Sequence, residues 1–315
     1  MMSLATSDPK GHTAMSVEPS PQGRFGTLPG MLWRDRFASI AAVILLLALI
    51  AAVIGPIFLS DAATDMNLRA RNAPPFRLDG GLAHILGADS LGRGILPRII
   101  VATRNTMLIA ASTVFCSLVI GTALGLVAGY RGGVVGDVIL RLTDILMSFP
   151  SLLLAMVVLY VFSPSILNVI IVLTLTRIPI YLRTTRAEVM EVRTRMFVTA
   201  ALVAGAGPLR IILRHILPII APTLLTIATL DFAFVMLAEA SLSFLGLGVQ
   251  APEVTWGVMV AEGRGYLATA WWLAFWPGLA IALVTMSLNL LSNWLRVVTD
   301  PVQRWRLEGR MPQIG

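Results

Sequence analysis

Charge is scarce in this chain of 315 residues. Asp, Glu, Lys and Arg make up 13% of it, 57% of the residues are hydrophobic, and the mean hydropathy is +0.82. Soluble domains carry about a quarter charged residues, so a bilayer is the solvent this composition implies. Cysteine occurs once, at Cys116, which excludes an intrachain disulfide and any cysteine metal cluster. Lysine also occurs once, at Lys10, and the three histidines His12, His84 and His215 lie far apart. No Walker A loop, HExxH or GxSxG pattern is present, so no catalytic residue, metal or cofactor is indicated. Any hydrolysis that powers this protein has to come from a partner.

What the chain does have is arginine, placed unevenly. The net charge of +7 and a pI near 10.6 invite a nucleic-acid reading. The arginines, however, sit in short loops between apolar runs, and the positive-inside rule accounts for that placement without nucleic acid. Residues 1–36 are rich in Pro, Gly, Ser and Thr and read as a flexible cytoplasmic tail. The first apolar run, 37–59, is uncharged and long enough to cross a membrane, with Trp33, Arg34 and Arg36 as anchors before it. Residues 60–103 form a polar segment read as external, although the stretch from Asp61 to Arg104 holds six arginines against four aspartates. Further spans are expected at Met107–Ala128, with Gly121 and Gly125 as a small-xxx-small pair, and at Ser151–Phe162, preceded by a polar, Pro-kinked end at Arg141 to Pro150. Ile166–Leu182, Ile219–Leu242 and a sixth span ending near Leu295 complete an all-α membrane protein of about six helices. Arg177 is read as snorkelling to the interface from the end of the fourth span. Residues 296–315 form a short basic tail, and both termini are expected in the cytoplasm.

The stretch from Met196 to Pro218 stands out between spans. It reads as a small amphipathic helix with Phe197, Ala200, Ala201 and Ala204 on one face. A Gly-Ala-Gly-Pro break at Gly205 to Pro208 follows, then a basic helix running into Leu217-Pro218. From Arg183 to His215 six arginines face two glutamates, the largest basic excess between any two spans, which assigns this loop to the cytoplasm. Two carboxylates fall within the fifth span, Asp231 and Glu239. Each costs a few kcal/mol in hydrocarbon unless it faces a cavity or a partner group. Pathway-lining or proton-relay roles compete with a plainer reading, in which Asp231 pairs inside the bundle and Glu239 lies near the external interface.

Several stretches, in order, resemble the permease subunits of ATP-binding cassette (ABC) importers, specifically the C-type subunit of dipeptide, oligopeptide and nickel uptake systems. His84-Ile-Leu-Gly-Ala-Asp-Ser-Leu-Gly-Arg93 is similar to that family's GTDxLGRD segment, with Ala88 for the usual Thr and Gly94 for the usual Asp. Arg141 to Ala155, Pro179 to Glu188, Ala238 to Gln250 with Trp256-Gly257, and Trp271-Trp272 through Pro277-Gly278 follow the family pattern. Ala200, Ala201, Gly205, Leu217 and Pro218 match the spacing of its EAA motif, with Thr199 where the motif has glutamate. The resemblance implies a type I importer (MetI-like) fold with a transmembrane domain over 104–295. Within it, the loop 183–218 serves as the coupling helix, with Phe197, Thr199, Ala200, Ala201, Gly205, Leu217 and Pro218 at the ATPase contact. It further implies a bacterial inner-membrane location and four partners: a second homologous permease, two cytoplasmic ATP-binding subunits and an external solute-binding protein. The substrate class it implies is peptides or a related small solute. The rivals are an ion-coupled secondary transporter using Asp231 and Glu239, and a non-conducting membrane assembly subunit.

Overall fold

Helix α1, Arg36–Thr64, shows how this chain is built for a bilayer. Asp35 caps it, accepting from the backbone N–H groups of Phe37 and Ala38 at 3.0 and 3.1 Å. Its buried face is small throughout: Ala38, Ala41, Ala48, Ala52, Gly55 and Ala63. Its bulky residues, among them Leu46, Leu47, Val53, Ile57 and Phe58, point outward. Lipid is as apolar as leucine, so large side chains gain little by facing inward, whereas small ones let backbones approach. The computed structural model describes residues 30, 32, 33, 35–76, 82–163 and 165–299. The readings of residues 1–29, of Arg34 and of the tail from 300 to 315 lie outside them.

Among the described residues, five helices are long and apolar enough to cross a membrane: α1, α2 (Ile95–Arg131), α5 (Ile166–Val192), the continuous helical run Pro208–Phe244, and α10 (Trp272–Thr299). A sixth span exists only if α3 (Gly133–Met147) and α4 (Ser151–Val161) are taken together, and they meet at 82°. The expected kink at Phe149-Pro150 is therefore a full break. Pro150 has no N–H to continue a helix, and the chain restarts at Ser151. The run Pro208–Phe244 begins as α7 (Pro208–Ile211), widens into a π-helical turn at Ile212–Ile216 and continues as α8 (Leu217–Phe244). Pro218 and Pro222 each lack the N–H that an α-helical ladder would use at this point, which leaves the wider turn room to form.

The second span corrects the expected boundary. The helix starts at Ile95, not Met107, so residues 95–103 form the first turns of a 37-residue helix. At about 1.5 Å per residue α2 is roughly 55 Å long, well beyond a hydrocarbon core of about 30 Å. Arg98, Arg104 and Asn105 interrupt the hydropathy run, but Arg98 is neutralised by Asp89 and Glu262. Asn105 donates to Glu253 Oε2 at 2.8 Å and to the Val254 carbonyl at 3.0 Å.

α2 and α5 are the most intimate pair. A Cβ placed on Gly121 would come within 2.6 Å of Tyr181 Cβ, one on Gly125 within 2.6 Å of Thr185 Cβ, and one on Gly129 within 2.9 Å of Val189 Cβ. The small-xxx-small pair seen in the sequence is thus the first two members of a three-glycine strip. The main core gathers α2, α4, α5, α8, α10 and the short α9 (Trp256–Gly263) around residues such as Ile109, Leu159, Leu173, Met236 and Trp256. Substituting Gly125→Val should lower the detergent melting temperature markedly, by an overpacking cost of about 1–3 kcal/mol or more. Gly278→Ala on α10, where a new Cβ meets nothing within 4 Å, should leave it unchanged or slightly raised. Circular-dichroism melts of the purified chain check both.

Candidate functional site

The Met196–Pro218 stretch folds as a helix–turn–helix resting on its own small core. Helix α6, Met196–Val203, ends where Gly205 takes φ +82°, a left-handed conformation that suits glycine. α7 then begins at Pro208, a residue pre-set for a first helical turn. Val198 of α6, Ile211, Ile216 and Ile220 bury against Val189 and Val192 of α5 and Leu126 of α2, with Ala201 packed at the edge. Arg193 ties the same corner down, donating through Nη1 to the carbonyls of Gly129 and Tyr130 at 3.0 and 3.3 Å.

This arrangement corrects the expected face. α6 is not amphipathic: MFVTAALV carries no charge and is apolar on both sides. Ala201 belongs to the inward side with Val198, while Phe197, Thr199, Ala200 and Ala204 are exposed. Met196 and Val203 are 89% and 86% exposed, and with Thr194, Thr199, Ala200 and Ala204 they line a shallow hollow of about 540 Å³. Leu217 is half-buried and Pro218 exposed where α8 begins. An apolar, exposed helix on a rigid base has the character of a protein docking surface.

A second site lies halfway along α5 and α8. Arg177, read from the hydropathy as snorkelling to an interface, lies mid-helix in α5, where it pairs with Asp231. Asp231 is 3% exposed and has both oxygens engaged: Arg177 Nη2 donates to Oδ1 and Tyr181 Oη donates to Oδ2 at 3.0 Å. The Arg177 guanidinium also sits 4.1 Å over the ring centre of Phe234, while its buried Nε donates to nothing in the described structure. Two open clefts of about 430 and 420 Å³ flank this pair, and Arg177 and Ile180 line both.

Glu239 is placed differently. It is 1% exposed, inside the packed end of α8. Its Oε1 accepts from Ser243 Oγ at 2.7 Å and from Thr255 Oγ1 at 2.8 Å, and Thr255 also caps α9. Glu239 thereby holds the 245–255 loop to α8, and it borders neither cleft. The GTDxLGRD-like segment makes a comparable fastening. Asp89, buried, accepts from Arg93 Nε and Arg98 Nη1, both at 2.7 Å, and from the N–H groups of Leu91 and Arg93, both at 2.9 Å. Arg98 extends the chain of charges to Glu262 on α9 at 3.0 Å. Trp256 Nε1 donates to the Ile99 carbonyl at 3.0 Å and Trp272 Nε1 to that of Ala88 at 3.3 Å. Among the described residues no cluster of His, Cys, Asp or Glu could hold a metal.

Residues 121–305 match the family model of the binding-protein-dependent transport system inner membrane component. The chain belongs to this family. It is 40% identical to the di/tripeptide transport system permease protein DppC of Pseudomonas aeruginosa, over 90% of this chain and 93% of that one. It is 35% identical to the probable D,D-dipeptide transport system permease protein DdpC of Escherichia coli, over 91% and 95% of the two chains. Identity to the E. coli nickel transport system permease protein NikC is 37%, over 85% and 94%. Among solved structures, an inward-facing form of the MetNI methionine ABC transporter superposes with a TM-score of 0.52 at 20% identity, over 65% of this chain and 98% of that one, a likeness of fold. The resemblance of the motif stretches to ABC importer permeases is thus borne out, as is the MetI-like all-α fold. The chain is a multi-pass membrane permease component.

The Arg177–Asp231–Tyr181 group was only half visible in the sequence: Asp231 was recognised as anomalous, but its partner, 54 positions away, was not. The signal available was one arginine and one aspartate, each within an otherwise apolar span, which hydrocarbon favours pairing. Asp231→Leu alone should strand the Arg177 cation and destabilise the fold by about 3–5 kcal/mol, whereas adding Arg177→Met should recover most of that loss. Detergent melts of the two single variants and the double variant give the comparison.

Proposed function

We propose that this chain is a pore-forming subunit of an ATP-driven, binding-protein-dependent importer of peptides or a related small solute in a bacterial inner membrane. The observation that carries the reading is the docking corner: a charge-free helix, exposed along Met196, Ala200 and Val203 and seated on a private core, at the arginine-rich end of the bundle. A rigid knob of this kind suits transmission of motion from a partner that binds ATP. The partners are a second homologous permease, two ATP-binding subunits gripping this loop and its counterpart, and a solute-binding protein on the opposite side. ATP hydrolysis belongs to the ATP-binding subunits.

The docking end is assigned to the cytoplasm, with both termini, because its arginines exceed its glutamates by four. The surplus arginines of the opposite segment do not oppose this, since Arg93 and Arg98 are spent on Asp89 and Glu262. Peptide transport follows the relatives with peptide-permease names, while the NikC likeness keeps other small solutes within the class. The ion-coupled alternative needs a carboxylate open to a pathway: both Asp231 oxygens are already engaged, and Glu239, 1% exposed, borders neither cleft.

Thr199 in place of the motif glutamate shifts the weight of docking to apolar contact. A carboxylate introduced at Ala200 or Val203 should therefore release the ATP-binding subunits and reduce uptake by about tenfold or more, with membrane insertion unchanged. Co-purification and uptake assays at matched expression test Ala200→Asp and Val203→Asp. Normal uptake by both variants would sink the assignment of this face.

A further inference from the structure

Two clefts meet at Arg177, and they differ in charge. The one bordered by α8 contains Asp231 and Phe234, which hold the guanidinium from that side. The other, of about 430 Å³, lies between the α3–α4 break and α5 and is lined by Arg177, Arg183 and Thr176 along with Phe149 and Leu154. No acidic side chain among the described residues lines it. Asp144 pairs with Arg183 from outside the cleft, and both of those side chains are about half exposed. Asp231 has no oxygen to spare, whereas Arg177 keeps donor capacity: Nη2 serves Asp231, and Nη1 makes no hydrogen bond among the described residues. A mid-span arginine with its open side toward hydrocarbon would be costly, so this side has to face water or a polar guest. The volume falls within the range of small-ligand sites, about 300–1,000 Å³, and the mixture of apolar wall and basic donors suits a small solute with one anionic end.

We propose that the cleft between the α3–α4 break and α5 is a transient station for the carboxylate end of the transported solute, with Arg177 as the group that reads it and Arg183 as its helper. Asp231 and Tyr181 act as positioning residues that fix the guanidinium. This rests on the reading of the chain as a pore subunit for peptides or similar solutes. A guanidinium accepts a planar carboxylate through paired N–H donors, and its hold on one partner from behind leaves the remaining edge free for an exchangeable one. Weak, local binding of this sort is what a pathway requires, since a solute held tightly would not leave.

The test uses the complete importer with its partner subunits and binding protein in proteoliposomes, and two radiolabelled probes, dialanine and its C-terminal amide. The quantity read is the ratio of ATP-driven uptake of the acid to that of the amide. Discrimination by the binding protein is common to all variants, so a change in the ratio reports the permease alone. Arg177→Gln should lower the ratio about tenfold, and Arg183→Gln about threefold, with Arg177→Lys intermediate. A purely structural role for Arg177 would reduce uptake of both probes equally, and an equal reduction or an unchanged ratio overturns the proposal. If Arg177→Gln fails to assemble, Arg183→Gln, altered at a half-exposed side chain, decides the matter on the same ratio. Absence of ATP-driven uptake of either probe by the unaltered importer would instead overturn the pore-subunit reading for peptides, and the station with it.

Discussion

The close approach of α2 and α5 through Gly121, Gly125 and Gly129 is the constraint on which the rest of the molecule depends. It makes one stiff pair out of two long helices, and both ends of the pair carry something. At the α2 N-terminus Arg98, Asn105, Thr106 and the Ile99 carbonyl catch Asp89, Glu262, Glu253 and Trp256, which fastens the 82–94 segment and α9. At the other end the carbonyls of Gly129 and Tyr130 catch Arg193, and Leu126 enters the core beneath α6 and α7. On the proposed reading, a displacement of the 196–218 corner would be passed to the far end through this packed backbone. The break at Ser148–Pro150 is a soft joint, and the π-helical turn at Ile212–Ile216 is another.

The buried charged groups among the described residues divide between fastening and a place beside the clefts. Asp89 and Glu239 sit at the ends of spans and hold loops to helices, with their acceptors turned inward. Arg177 and Asp231 sit mid-helix in candidate spans, where hydrocarbon penalises a lone charge, and two open clefts adjoin their ion pair. Large aliphatic side chains face outward on α1 while its alanines pack, so the size pattern, not the hydrophobicity pattern, distinguishes inside from outside.

That last point explains what the sequence could and could not tell. Span number, the all-α class and the family followed from long apolar runs and from motif stretches whose order is specific. The Gly205 turn and the break before Pro208 were readable because glycine and proline restrict backbone geometry locally. The start of α2 was not, because Arg98 and Asn105 look like loop residues until their partners from residues 89, 253 and 262 are in place. The inward face of α6 was misread for a related reason: in a helix apolar on every side, periodicity carries no direction, and only contact with Ile211 and Val189 turns Val198 and Ala201 inward. Arg177 was read only from its position near the end of an apolar run, and its pairing with Asp231 on α8 was not legible there.

On the proposed importer reading, energy enters through ATP-binding partner subunits. On that reading the docking corner is the point of entry and the clefts at Arg177 are the place of consequence. The most direct test is the initial rate of solute uptake into sealed vesicles holding the whole importer, with ATP supplied on the side of the docking corner. The account predicts uptake that requires ATP, stops with vanadate and ignores an uncoupler. Uptake that persists without ATP and collapses when the proton gradient is dissipated would contradict it.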